Sequence, residues 1–320
     1  MVTVRKRTLK VLTLLVLFIF LTSFFLNYSH TTVATTWFPK QMVVELSENF
    51  KKFMKYAHRP CTCARCVGQQ RVSSWFDERF NRSMQPLLTA QNALLEEDTY
   101  SWWLVRAGDW SAPGSALPVT YKRLVELRLT RARGMRRATF CPLSPRMNKA
   151  PTAGFEADVG SKTTHHLVYP ESFRELGENV SMVLVPFKTT DLEWVVSATT
   201  TGTISQGVPV PATRCSLEPP WPDILIYHPA FIKYVFDNWL QGHGRYPSTG
   251  ILSVIFSLHI CDEVDLYGFG ADSKGNWHHY WENNPSAGAF RKTGVHDGDF
   301  ESNVTATLAS INKIRIFKGR

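Results

Sequence analysis

The sequence predicts an α/β fold: one large domain with a mostly parallel central sheet, held behind an N-terminal transmembrane helix and a stem. Three observations carry that expectation. An uncharged apolar run occupies positions 11–26 of the 320 residues. Beyond Asn148, short apolar segments of strand length alternate with helix-length periodic segments. Between the two regions lies a polar stretch with no core of its own.

The apolar run holds Thr13, Thr22 and Ser23 but no charge, and Leu9 with a snorkelling Lys10 lengthens it. Phe24, Phe25, Leu26 and Asn27 offer no small-residue cleavage site, so a retained signal-anchor is expected rather than a cleaved signal peptide. Arg5, Lys6, Arg7 and Lys10 precede the run. Residues 1–10 are therefore expected in the cytosol and everything after the span in the lumen, a single-pass type II arrangement. The short span suits the thinner membranes of the early secretory pathway.

Residues 27–60 read as a stem with one amphipathic piece at 43–56, and residues 61–320 as a lumenal domain large enough for a full core. Six cysteines in an oxidising compartment point to disulfides, with Cys61, Cys63, Cys66, Cys141 and Cys261 as candidates. Cys61-Thr-Cys63-Ala-Arg-Cys66 also allows a zinc knuckle, but no second ligand pair stands at zinc-finger spacing. Asn81, Asn179 and Asn303 head glycosylation sequons.

The net charge of +9 is lopsided. Residues 101–150 hold ten Lys/Arg against two Asp/Glu, and four more positives flank the apolar run, leaving the remainder slightly acidic. A nucleic-acid partner is not expected from one basic segment and a membrane flank.

Within the domain, positions 75–98 show a broadly helical pattern. Residues 104–146 are Arg-rich, without a clear strand or a capped helix beyond 119–130. A second patch at 207–222 carries five prolines and Cys215. Strands are expected at His166–Tyr169, Met182–Phe187, Ile224–Tyr227 and Val264–Phe269. Helices are expected at Ala230–Leu240 and at Thr249–His259 behind Ser248 as N-cap, with a closing helix and strand over 300–317. Parallel strands joined this way place ligands at their carboxyl ends.

The chemistry-bearing motifs cluster late in the chain. Tyr246-Pro-Ser-Thr-Gly250 opens a helix, where first-turn N–H groups and the hydroxyls of Ser248 and Thr249 can hold a phosphate or carboxylate. An ordinary helix cap is the plainer alternative. His279-Tyr280-Trp281-Glu282 follows a Gly-rich strand end, and His296 stands five residues before Glu301. Histidine can accept a proton or steady a leaving phosphate. A His packed among aromatics is equally compatible with position 278 or 279. Asp297-Gly298-Asp299 looks like a metal-binding Asp-X-Asp but lacks an apolar strand before it, so no metal is expected. His165 and His166 are expected on alternating faces of a strand, without a ligand role.

In order and spacing these pieces resemble the animal sialyltransferase family, glycosyltransferase family 29. The small motif resembles Tyr246 through Cys261 to Gly270, the third motif His279–Glu282, and the very small motif His296 with Glu301. The end of the large motif resembles Arg146-Met-Asn148, Gly154–Gly160 and Thr163–His166. The resemblance implies a Rossmann-like, GT-A-like glycosyltransferase domain in the Golgi lumen. It implies inverting transfer of sialic acid from CMP-N-acetylneuraminate to the 3-hydroxyl of galactose in Gal-beta-1,3-GalNAc, without metal or other cofactor. Core 1 O-glycans on glycoproteins are the implied acceptors, with glycolipids and a homodimer as further candidates.

By the same resemblance His296 is the general base and His279 contacts the departing phosphate. Asn148, Ser248, Thr249, Gly250, Gly270 and Trp277 line the donor pocket, while Tyr227, Tyr246 and Phe269 face the acceptor. The chain departs from the family before Asn148: the Cys, the apolar strand and the Gly-Asn-Ser-Gly turn of the large motif are replaced by residues 130–145. The family pairs that Cys with the one at position 261. Cys141 lies only seven residues before Asn148, away from the family's distance. Altered exon use, frame-shifted reading or an incorrect gene model would produce such a patch. A catalytically impaired membrane-anchored isoform and a carbohydrate-binding module are therefore the competing expectations.

Overall fold

The computed structural model describes residues 17, 21–22, 66–89, 92–107, 143–177, 179–200, 224–269, 279–282 and 294–317. Two units separate at position 45, and the second, from Leu46, carries the domain. In the first, Leu17, Leu21 and Thr22 are helical, and both leucines are exposed. The rest of the expected span, and the stem, lie outside the described residues. Among the described residues no helix is long and apolar enough to cross a membrane.

The domain is built on four parallel strands in sequential order: β1 (Pro145–Met147), β2 (His165–Val168), β3 (Ser181–Leu184) and β4 (Ile224–Ile226). Register pairs His166 with both Arg146 and Met182, and Met182 with Ile224. A separate parallel pair joins β5 (Asp265–Tyr267) to β6 (Arg315–Phe317). The expectation of parallel strands thus holds, but they form two sheets among the described residues. Beyond β4, Leu87 makes an antiparallel bridge to Tyr227, with Leu88 N donating to Ile226 O.

The apolar strand residues divide between two cores by the pleat. Leu167, Val183 and Val185 enter one core with Tyr227; Val168, Met182, Leu184 and Ile226 enter another. The first core is filled by α5 (Pro229–Tyr234), its π-helical continuation Val235–Trp239, α6 (Thr249–Ile260) and α7 (Gly298–Ser310), with Phe76 from α1 (Ser74–Arg79). Trp103 of α2 (Glu97–Ala107) joins Leu192, Trp194 and Val195 of α4 (Thr189–Thr200) in the second. The remaining α3 is the single turn Glu156–Val159. The result is a three-layer arrangement in which the sheet is covered on both faces.

The broad helical pattern over 75–98 is realised only at its ends, as α1 and the start of α2. Asn81 breaks it by accepting from Ser83 N and Oγ, which makes a side-chain turn where a helix would continue. Four elements were not expected: β1, α2 across the texture change at Trp103, the single turn α3, and α4. α4 is rich in Thr and Val, weak helix formers, yet Leu192, Trp194, Val195 and Ala198 are fully buried. Asp191 receives Lys188 N at 3.0 Å across its first turn. Burial overrides propensity here.

Cys66 is disulfide-bonded, whereas Cys261 is a free thiol. The candidate pairing of Cys261 is therefore not formed. Burial pushes its thiol up to about 12. Cys61, Cys63 and Cys141 lie outside the described residues, as do 108–142 and 201–223. The sequon asparagines Asn81, Asn179 and Asn303 are all exposed, and Asn179 takes a left-handed backbone (φ 62°).

Trp239 is fully buried, edge-on to Trp75 and Phe76 at 6.0 and 5.8 Å. Trp239→Ala should lower unfolding stability by about 3–5 kcal/mol, read from denaturant midpoints. Burial also depresses His165 to about 4 from an ordinary 6.5. A depressed histidine is neutral in the fold, so the unfolded chain binds more protons below pH 6.5. Its stabilisation is complete above that value and falls away as pH drops toward 4. His165→Gln should therefore lose less stability between pH 7 and 4.5 than the parent, by about 2–3 kcal/mol; equal slopes in pH-dependent melting would contradict this.

Candidate active site

The carboxyl ends of β1, β4 and β5 and the amino ends of α6 and α7 carry most of the expected site residues. Ser248 is the N-cap of α6, its Oγ accepting from Ile251 N at 3.3 Å. It also spends both of its own donors on one acid. Its backbone N–H reaches Glu301 Oε1 at 2.8 Å, and its hydroxyl donates to Glu301 Oε2. The anion at this helix start is thus supplied by the protein itself, so Ser248 does not present its hydroxyl to a substrate phosphate as expected. Helix geometry leaves the next amides, of Thr249 and Gly250, without an intrahelical acceptor. Those two are the donors suited to an external anion.

Glu301 sits in the first turn of α7 and is 8% exposed. Burial raises its carboxyl to about 7, against the opposing pull of the two Ser248 hydrogen bonds. One turn earlier, His296 Nδ1 donates to Tyr246 O at 2.8 Å, and the two rings meet edge-to-face at 5.0 Å. A proton on Nδ1 makes Nε2 the basic nitrogen of the ring. Burial holds the imidazolium pKa below its ordinary value, with the Tyr246 carbonyl pulling the other way. The ring is therefore poised to take a proton.

The second group of residues gathers around Asn148. This residue ends β1 in a left-handed conformation (φ 51°), its N–H on Leu167 O at 2.9 Å and its carbonyl 2.5 Å from His166 Nε2. Asn148 Oδ1 is buried without a hydrogen-bond partner, as suits a polar atom that a ligand would satisfy. The adjoining segment is tied to the third motif, since Tyr280 donates its hydroxyl to Pro151 O and packs edge-on to Phe155 at 5.4 Å. His279, neighbour of Tyr280, stacks on Trp281 at 4.3 Å and pairs through Nδ1 with Glu282 at 2.9 Å. His279 is thus an exposed group on a short bridge rather than a packed core histidine.

The end of β5 joins the two groups. Gly268 (φ 72°) lies so close beneath Tyr280 that a Cβ there would come within 2.6 Å of the ring. Its neighbour Phe269 turns the other way, with Cε1 3.7 Å from the Cβ position of Gly250. Phe269 thus stands beside the start of α6, where Tyr246 packs against His296 and Phe187. Tyr227 does not face an acceptor as expected: it is fully buried and donates its hydroxyl to Leu252 O at 3.0 Å, a core role. Pleat parity explains the difference, since one step past β4 the side chain turns into the first core. Gly270 and Trp277 lie outside the described residues.

Sequence reasoning missed the group at the carboxyl ends of β2 and β3. Phe187 packs between Tyr169 and Tyr246, at 5.7 and 5.2 Å. Beside it Lys188 pairs with Glu171, while burial lifts Asp191 to about 7. The signal available was their place just after two apolar strands. Among the described residues no group of three or more His, Cys, Asp or Glu could hold a metal ion.

Comparison with known proteins agrees with this architecture. The profile of glycosyltransferase family 29 (sialyltransferase) matches residues 145–313. The human CMP-N-acetylneuraminate-beta-galactosamide-alpha-2,3-sialyltransferase 1 is 71% identical over the full length of both chains. The pig protein of the same name is 72% identical over 99% of this chain and 98% of its own. A solved mammalian sialyltransferase in complex with Gal-beta-1-3GalNAc-ortho-nitrophenol superposes with a TM-score of 0.69 at 64% identity, covering 82% of this chain and all of that one. With the profile spanning more than half of its residues and relatives matched along its whole length, this chain belongs to glycosyltransferase family 29, the sialyltransferases.

Proposed function

We propose that the chain is an inverting transferase that moves N-acetylneuraminic acid from its CMP donor to the 3-hydroxyl of galactose in Gal-beta-1,3-GalNAc. The names of its relatives and the disaccharide in the solved homologue support this reading. The observation that carries it is His296: half-buried, held by Tyr246 O, and anchored beside an acid that closes the neighbouring helix start. The Nε2 lone pair takes the proton of the galactose hydroxyl. That oxygen attacks the anomeric carbon from the face opposite CMP, and the electron pair of the breaking C–O bond leaves with the phosphate. Attack from the opposite face inverts the centre.

The amides of Thr249 and Gly250 and the exposed His279 are placed to meet negative charge, the first as fixed dipoles and the second as a cation when protonated. Asn148 Oδ1 is the polar contact offered to the nucleotide sugar. Tyr246 and Phe269 border the acceptor. CMP is a good leaving group, so this set suffices without a metal. We place the catalytic domain in the Golgi lumen behind a type II anchor, as a GT-A-like domain acting on core 1 O-glycans. A second reading, a catalytically impaired isoform, is favoured by the replaced segment at 130–145, where the family's phosphate turn is missing.

Incubation of the full-length chain with CMP-sialic acid and the core 1 disaccharide separates these readings. Turnover that survives a chelator and drops about 10²–10⁴-fold in His296→Ala, with CMP binding retained, is the expected result. Undiminished turnover by His296→Ala removes the base assignment. Parent protein that binds CMP without turnover supports the impaired isoform, and glycan binding without CMP affinity supports a binding module.

A further inference from the structure

We infer that the turn His243–Tyr246 is a positioning device for the base, with His243 as its positioning residue; this rests on His296 being the base. The turn leaves the π-helical end of α5 through Gln241 (φ 51°), Gly242 (φ 79°) and Gly244 (φ 77°), a run of left-handed backbone that doubles the chain back on itself. It grips the segment before α7 from three sides. Val295 O accepts from Arg245 N at 2.9 Å and from Tyr246 N at 3.3 Å, and Tyr246 O in turn accepts from His296 Nδ1 at 2.8 Å. At Gly244 a Cβ would stand 3.0 Å from Asp297 N, 3.3 Å from Val295 O and 3.4 Å from His296 Cα. Only glycine lets the two backbones approach this closely at this φ.

His243 closes the third side. Its Nδ1 lies 3.0 Å from Asp297 Oδ2, and its ring stacks on Phe300 at 3.9 Å and 12°. Asp297 is held ionised, its pKa lowered chiefly by the Phe300 N–H. A carboxylate only accepts, so the His243 nitrogen donates. The other oxygen of Asp297 caps α7 by accepting from Phe300 N at 3.0 Å. One side chain thus pins both the cap residue and the first turn of the helix next to His296. The pair is solvent-accessible (47% and 37% exposed), and such surface pairs add little to stability. What it does restrain is the backbone on either side of the base.

The test uses the full-length chain with CMP-sialic acid and Gal-beta-1,3-GalNAc. His243→Phe keeps a ring on Phe300 and deletes the donor, while His243→Asn keeps a donor near the Nδ1 position and deletes the stack. His243→Phe and Gly244→Ala should each lower kcat about 10-fold or more with both KM values within about 2-fold, because misplacement of a base affects the chemical step. His243→Asn should recover most of that loss with an unchanged melting temperature. In a His296→Ala background, His243→Phe should cost nothing further, since the two act as one unit. Parent-like kcat in His243→Phe, or a loss that tracks melting temperature and is not rescued by Asn, overturns the positioning role while leaving the base in place. Parent-like turnover by His296→Ala instead overturns the base reading beneath it.

Discussion

The carboxylate of Glu301 is the point on which the site's construction turns. It lies buried between the starts of two helices and takes both donors of Ser248, the cap of α6, from within the first turn of α7. A helix start favours negative charge, and here the favoured charge is internal. Burial raises its carboxyl to about 7, and the two Ser248 hydrogen bonds pull the other way. Because His296 and Tyr246 lie just before those helix starts, the same link governs where base and rim residue stand. Removing Glu301 would leave a capped helix without its partner and the base on an untethered turn.

Around that link the molecule divides labour plainly. The four-stranded sheet, packed between two apolar cores, holds Asn148, Tyr169 and Phe187 at its carboxyl edge. The short β5–β6 pair supplies the hinge between motifs, with Gly268 under Tyr280 and Phe269 against Gly250. Apart from the first-turn amides of α6, the candidate groups sit on connections between rigid elements, where side chains can converge from distant parts of the chain. The histidines of β2 lie inside the sheet and stay neutral, apart from this chemistry.

The strands after Asn148 were readable because burial on both faces leaves near-continuous apolar runs, as in Met182–Phe187. The helix behind Ser248 was readable from its cap and its apolar length. α4 was not, since its Thr and Val content argues against a helix and the burial of Leu192, Trp194, Val195 and Ala198 stabilises one. Tyr227 was misplaced for a related reason: the motif order says that a tyrosine follows a strand, but pleat parity decides which face it meets. Ser248 looked like an anion seat, and it is one, for an acid fifty-three residues further on. Cys261 looked like half of a disulfide, yet it is a half-buried free thiol.

By itself the sequence determined the α/β alternation, the order of the motifs and the candidate histidines, since these follow from local periodicity, capping chemistry and spacing. Tertiary structure alone decided which of those groups meet. That Glu301 reaches Ser248, that Tyr280 locks onto Pro151 and that the His243 turn cradles His296 are contacts across 50 to 129 residues. Such contacts depend on how layers pack and which way each strand residue faces, and no local pattern encodes that.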